Sequence, residues 1–196
     1  MSSIVDLSQL PAPALVEVLD FEAVYADLLA DLQTYDADLY ATILQSGNTD
    51  PVAKLLQVAA YRELILRARI NDAGLAVMLA YATGADLDNI VAREPYNITR
   101  LVVSAGDDDA IPPIPPVLES DDELRRRAQL APSKFSTAGP EDAYVFHALT
   151  ASADALDASA ISPTPGQVIV TVLSRDGDGS ASPELNHPGF RGGYLV

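Results

Sequence analysis

The chain has 196 residues, 48% of them hydrophobic, which is enough for one ordinary domain or two small ones built around a core. Its formal net charge of −16 argues against nucleic acid and anionic membrane surfaces as partners. It has no cysteine, which excludes disulfides, thiolate metal sites and a cysteine nucleophile.

The charge is uneven along the chain. Residues 1–50 contain nine acids and no lysine or arginine, and Lys54 is the first base. No apolar run has the length of a membrane span, and no leader pattern is visible, so folding in the cytoplasm is expected. Pro11 and Pro13 interrupt the start of the chain. Val18, Phe21, Val24, Tyr25, Leu28 and Leu32 then recur at helical spacing and predict a helix from about Leu15 to Gln33. A shorter helical turn is expected around Ala37–Leu44, followed by a loop at 46–49.

Asp50 and Pro51 form a strong start signal for the next helix: a capping carboxylate, then a residue that needs no amide hydrogen. From Val52 to Ala82 only Gly74 interrupts the pattern, which predicts a helix of roughly 45 Å. Val52, Leu55, Leu56, Ala59, Leu66, Ile70, Ala73 and Val77 form one stripe, widened by Val58, Tyr61, Ile65, Leu75 and Leu79. A stripe this broad needs more than one neighbour. The N-terminal helix can cover part of it; a partner subunit could cover the rest, and a long core helix within a monomer fits these residues about as well.

Gly84 is placed to end that helix and Asp86 to cap a short one over 87–94, stopped by Pro95. Asp86, Asp88 and Asn89 lack the further spaced oxygen ligands of a metal loop, so capping is the favoured role. Asn97–Ser104 reads as a strand, and "IPPIPPV" (111–117) as a stiff extended connector marking the best boundary in the chain. Beyond it, Ser120 and Glu123 fit a capping box. Arg125, Arg126 and Arg127 point around the helix and are expected to pair with local acids or an acidic neighbour, not to converge on one anion. A second helix follows Pro140, and residues 154–161 and 167–174 form two strands joined by a proline-glycine turn. "RDGDGSASPE" (175–184), with Asp176, Asp178 and Gly179, reads as a tight turn in preference to half of a calcium loop.

The fold class expected is α+β: a long-helix bundle region over 1–95, a strand and proline-rich linker over 96–118, a small α/β region with a β-hairpin over 119–185, and an atypical tail over 186–196. No nucleophile elbow or phosphate loop occurs, and the two histidines, His147 and His187, have no evident catalytic partners. No catalytic, cofactor or metal residue is assigned, and the chain is not expected to be an enzyme. A carboxylate hydrolase using Asp176 and Asp178, or Asp86 and Asp88, is the weakest of the readings considered.

Taken in order, "IVDLSQLPAP…EVLDFEAVYADLLADL", "PVAKLLQVAAYRELILRARINDAGLAVMLAYATGADLDNIVA", "PPVLESDDELRRRAQLAP", "STAGPEDAYVFHAL" and "DASAISPTPGQVIVTVLSRDGDGSASPEL" resemble the baseplate J-like proteins of contractile phage tails and phage-tail-like bacteriocins. The resemblance spans about residues 4–185. It implies a non-catalytic wedge subunit of the baseplate ring around the central hub, with N-terminal helices sharing a bundle. The partners implied are other copies of the chain and a smaller wedge protein, with sheath and hub proteins as further candidates. The location implied is the host cytoplasm during assembly and then the baseplate of the particle. By position, the bundle role falls on Leu55, Leu56, Ala59, Leu66, Ile70 and Val77. The family pattern continues past "SPEL", whereas "NHPGFRGGYLV" does not, so the chain reads as C-terminally truncated. A free-standing acidic binding module or a non-functional remnant is the alternative reading.

Overall fold

The computed structural model describes residues 5–11, 13, 17–136 and 139–180. The fold is α+β and divides into two compact units, Leu10–Met78 and the remainder of the chain.

The first unit is helical. α1 (Phe21–Tyr35) starts where Asp20 accepts hydrogen bonds from the amides of Glu22 and Ala23 at 2.9 and 3.3 Å. The expected start at Leu15 lies outside the described residues. Val18 is not in the helix and is exposed, because the Asp20 cap sets the first turn later than hydrophobic spacing suggests. α2 (Ala37–Ser46) restarts at once under Asp36, whose carboxylate accepts from the Leu39 amide. α3 (Pro51–Ala76) begins as expected, with Asp50 accepting from the Val52 amide at 2.7 Å and Pro51 in the first turn.

α1 packs along α3 through small residues. Ala53, Ala60 and Gly74 are buried on α3, at multiples of seven residues, and Val24 is buried on α1. Asn71, also buried, exchanges two hydrogen bonds with the Glu17 backbone: its Oδ1 accepts from the amide at 3.0 Å and its Nδ2 donates to the carbonyl at 2.9 Å. This pairing fixes the segment leading into α1 without exposing an unsatisfied amide.

α3 ends at Ala76, six residues short of the expected Ala82. The carbonyls of Leu79 and Ala82 are held instead by one arginine, Arg125, whose Nε and Nη2 donate to them at 2.8 Å each. α4 (Gly84–Val91) follows. Its N-cap is Thr83 and not Asp86, which lies in the first turn and contributes charge there, not a cap. Gly84 has φ +51°, as the left-handed reading required, but opens α4 where the sequence suggested a helix end.

The expected strand 97–104 is reduced to β1 (Val102–Ser104), paired antiparallel with β2 (Val117–Leu118). The proline segment is the returning arm of this pairing and not a free connector. Asp107 and Ile114 form a bridge, and Gly106 (φ +72°) faces the backbone of Ile114–Pro116 so closely that a Cβ would overlap it. The change between compact units falls after Met78.

α5 (Asp121–Leu130) carries the expected capping box, Ser120 and Glu123 each bonding the other's amide. α6 (Glu141–Ala151) follows Pro140. β3 (Ala155–Ile161) and β4 (Ile169–Ser174) form the expected hairpin. A register irregularity between Ala155 and Asp157 switches the strand's parity, so Ala155, Ala158 and Ala160 all face the core. That core joins Leu87 and Val91 of α4, Leu124 and Ala128 of α5, and Phe146 and Leu149 of α6.

An ion-pair network braces this unit. Arg127 and Glu119 are buried and doubly bonded, at 2.7 Å for each of Nε and Nη2. Nη2 also donates to the Thr99 carbonyl at 2.7 Å, and Glu119 accepts from the Leu101 amide at 3.1 Å. Arg100 spans Asp88 at 2.8 Å and Asp121 at 2.7 Å. Arg175 reaches Glu123 at 2.5 Å, and Arg126 pairs with Asp157. Burial pushes the Asp121 carboxyl up, but Arg100, the Gly84 amide and the Arg125 charge together hold it below the usual range. Burial acts likewise on Glu123, and the Ser120 amide and hydroxyl with Arg175 outweigh it.

Glu119→Gln is expected to cost about 3–5 kcal/mol in chemical denaturation, because it strands the Arg127 charge in the interior. Glu119→Gln with Arg127→Met is expected to recover part of that loss. Both carboxyls at 121 and 123 titrate lower folded than unfolded, so their stabilisation is complete above the unfolded pKa of about 4. It is lost as pH falls through the folded values. Melting temperature measured from pH 6 downward should therefore drop below about pH 4, and Asp121→Asn should flatten that drop.

Candidate assembly interface

α3 shows two unlike sides. At about 100° per residue, Ala53, Ala60, Asn71 and Gly74 share the side turned to α1. Leu55, Ala59, Leu66 and Ile70 share the opposite side and are exposed there, at 68% for Leu55, 57% for Leu66 and 50% for Ile70. Of the six residues assigned to an interface, these four lie together. Leu56 stands at the margin of the stripe and is half-buried. Val77 is exposed at 72% but belongs to the turn that ends α3, so it is not part of the helical stripe. A second exposed apolar pair, Val58 and Tyr61, lies on a further side of the same helix.

Three bulky side chains, Leu55, Leu66 and Ile70, thus face outward, while the buried positions of the helix are the small residues Ala53, Ala60 and Gly74 with Asn71. Small residues let α1 approach closely, and α1 docked on that side does not reach the bulky stripe on the opposite one. Sequence periodicity found the stripe but did not find the inward face. Its signal was the repeat of Ala53, Ala60 and Gly74 at seven-residue multiples, together with a polar Asn71 that pairs with backbone.

The electrostatics of the helix are modest. Arg67 donates from Nε to Glu63 at 2.9 Å one turn earlier and lies 3.4 Å from Glu17. The hydrogen bond that Arg67 donates to Glu63 is the main cause of an upward shift of the guanidinium, opposed by burial and assisted by the charges of Glu63, Glu17 and Asp27. These pairs tie the stripe's flank to the segment before α1 and contribute little by themselves, being exposed.

In each carboxylate pair one member is engaged in a structural contact, Asp88 in the first and Asp178 in the second. Asp88 is bonded to Arg100, and the Asn89 side chain donates to the Ala85 carbonyl. Asp178 accepts from the Ser180 amide at 3.0 Å inside a turn containing two positive-φ glycines, Gly177 and Gly179. That bond, with the Ser180 side chain, holds its carboxyl below the usual range. His147 is exposed on α6, and His187 and the tail 186–196 lie outside the described residues. Among the described residues no three metal-ligating side chains cluster, and no helix is long and apolar enough to cross a membrane. The three consecutive arginines diverge as expected, to Asp122, Asp157 and Glu119.

Residues 48–107, which contain α3, α4 and β1, match the Baseplate J-like N-terminal domain. Over 185 residues the chain is 46% identical to "Baseplate protein J" of Escherichia phage P2, an alignment covering 93% of this chain. The chain spans 61% of the length of that relative. The domain match and the identity over 93% of this chain show that it is similar to the baseplate J-like proteins.

Proposed function

We propose that the chain is a structural, non-catalytic subunit of a contractile phage or phage-tail-like baseplate wedge. It assembles through its N-terminal helices into the ring around the central hub. The observation that carries this reading is the exposed apolar stripe of α3, which lies inside the segment matching the family domain. A monomer gains nothing from holding Leu55, Leu66 and Ile70 in water on one side of a helix. Burial against partner helices gives that stripe a stabilising role. The partners proposed are other copies of the chain and a smaller wedge protein, with sheath or hub proteins beyond them. The functional location proposed is the particle's baseplate, reached after assembly in the host cytoplasm. The segmentation into a bundle region, a strand and proline segment and an α/β region is proposed as a division of labour, with assembly assigned to the first.

The test uses a lysate in which tail particles are produced. Peptides of this chain are followed by mass spectrometry across a sedimentation gradient. The chain should travel with the heavy particles. The double variant Leu55→Glu/Leu66→Glu should leave the particle fraction by at least about tenfold, while its own unfolding free energy changes by no more than about 0.5 kcal/mol per site, as for exposed positions generally. A wild-type chain that stays at the top of the gradient sinks the proposal and favours a free-standing acidic module or a remnant.

A further inference from the structure

The segment Val77–Ala82, "VMLAYA", contains no proline or glycine, and its Met, Leu and Ala residues are good helix formers. It follows 26 residues of uninterrupted helix, yet it is a turn. Were α3 to continue, the Leu79 carbonyl would accept from the Thr83 amide and the Ala82 carbonyl from the Asp86 amide. Arg125 holds both carbonyls, and the Asp86 amide donates to Thr83 at 3.2 Å. The next residues are tied down by the same helix: the Gly84 amide donates to Asp121 at 3.1 Å, and Arg100 bonds Asp121. Arg125 is itself steadied by Asp122 at 2.7 Å.

We propose that Arg125 is a latch that keeps residues 77–82 from completing α3, and that releasing it lengthens the helix. The guanidinium supplies two directed donors to carbonyls that the helix would otherwise satisfy from its own amides. Nothing else about the local sequence opposes the helix before Gly84. In an uninterrupted helix Val77 and Tyr81 would fall on the same side as Leu66 and Ile70, lengthening the exposed stripe by about one turn. Leaving the latched turn would withdraw Leu79 from the edge of the core and uncover the buried Ala82. The latched form is therefore the resting one. The use of this device in assembly rests on the reading of α3 as an interface: a partner lying along the stripe would favour the longer helix by the contacts that Val77 and Tyr81 add.

The experiment uses the isolated full chain, so that it is independent of any assembly. Backbone Cα chemical shifts of residues 77–82 are measured by NMR in wild type, Arg125→Gln and Arg125→Lys. With the latch removed in Arg125→Gln, the shifts should move to helical values, and exchange of amides 79–82 should slow by about tenfold or more. Arg125→Lys, which presents a single ammonium group in place of the two-pronged guanidinium, should lie between. Adding Ala80→Gly to Arg125→Gln should reverse part of the change. Shifts that stay at wild-type values, or that move toward coil in both single variants, overturn the latch. Loss of sedimentation with particles in a chain that still shows the helical shift would instead count against the interface reading alone.

Discussion

The buried pair Arg127–Glu119 is the constraint on which the second unit depends. It joins three pieces of chain that share no extended sheet: the segment entering β1, through the Thr99 carbonyl and Leu101 amide; the end of β2, through Glu119 itself; and the middle of α5. Burying two charged side chains to 3% and 4% exposure is costly unless nearly every donor and acceptor is used. Here both carboxylate oxygens and three guanidinium nitrogens have partners, the third being Nη1 near the Thr150 hydroxyl at 3.5 Å. Geometry this complete gives the unit one arrangement of its loops, which two short hairpins could not dictate alone.

The same economy runs through the rest of the unit. With so little sheet, many loop carbonyls lack a backbone donor, and basic side chains provide one. Arg100 donates to the Glu119 carbonyl, Arg125 to Leu79 and Ala82, Lys134 to Tyr96, and Arg175 to Ala153. A chain with only 12 lysines and arginines against 28 acids therefore uses several of its cations inside the fold. With those cations engaged inside the fold, the net charge of −16 is carried by the acids that outnumber them.

Signals that act within one turn of chain were legible in the sequence. Asp50 with Pro51, Ser120 with Glu123, and the strand pair 154–161 and 167–174 are all local patterns, and the structure places each within a residue or two. The misses come from long-range contacts. No local pattern reveals that Arg125, more than forty residues away, captures the carbonyls beyond Ala76. Nor does proline content reveal that Ile114 and Val117 find pairing partners at Asp107 and Ser104. At the candidate interface the apolar stripe was legible through periodicity. The fact that the chain does not cover it was not, because that depends on α1 docking against Ala53, Ala60 and Gly74.

The uncovered side of α3 bears on how the chain can associate. Leu55, Leu66 and Ile70 are each already partly covered, so completing their burial contributes on the order of 1 kcal/mol apiece. Bringing two molecules together costs about 4–15 kcal/mol in lost freedom. One stripe meeting one partner therefore comes out near balance or below it. A face of this size is suited to assembly in which several such contacts form together, with each subunit held at high effective concentration by its neighbours. It is poorly suited to a stable isolated dimer. The second exposed pair, Val58 and Tyr61, on another side of the same helix, fits that requirement, since a helix covered on one side only would leave those two in water.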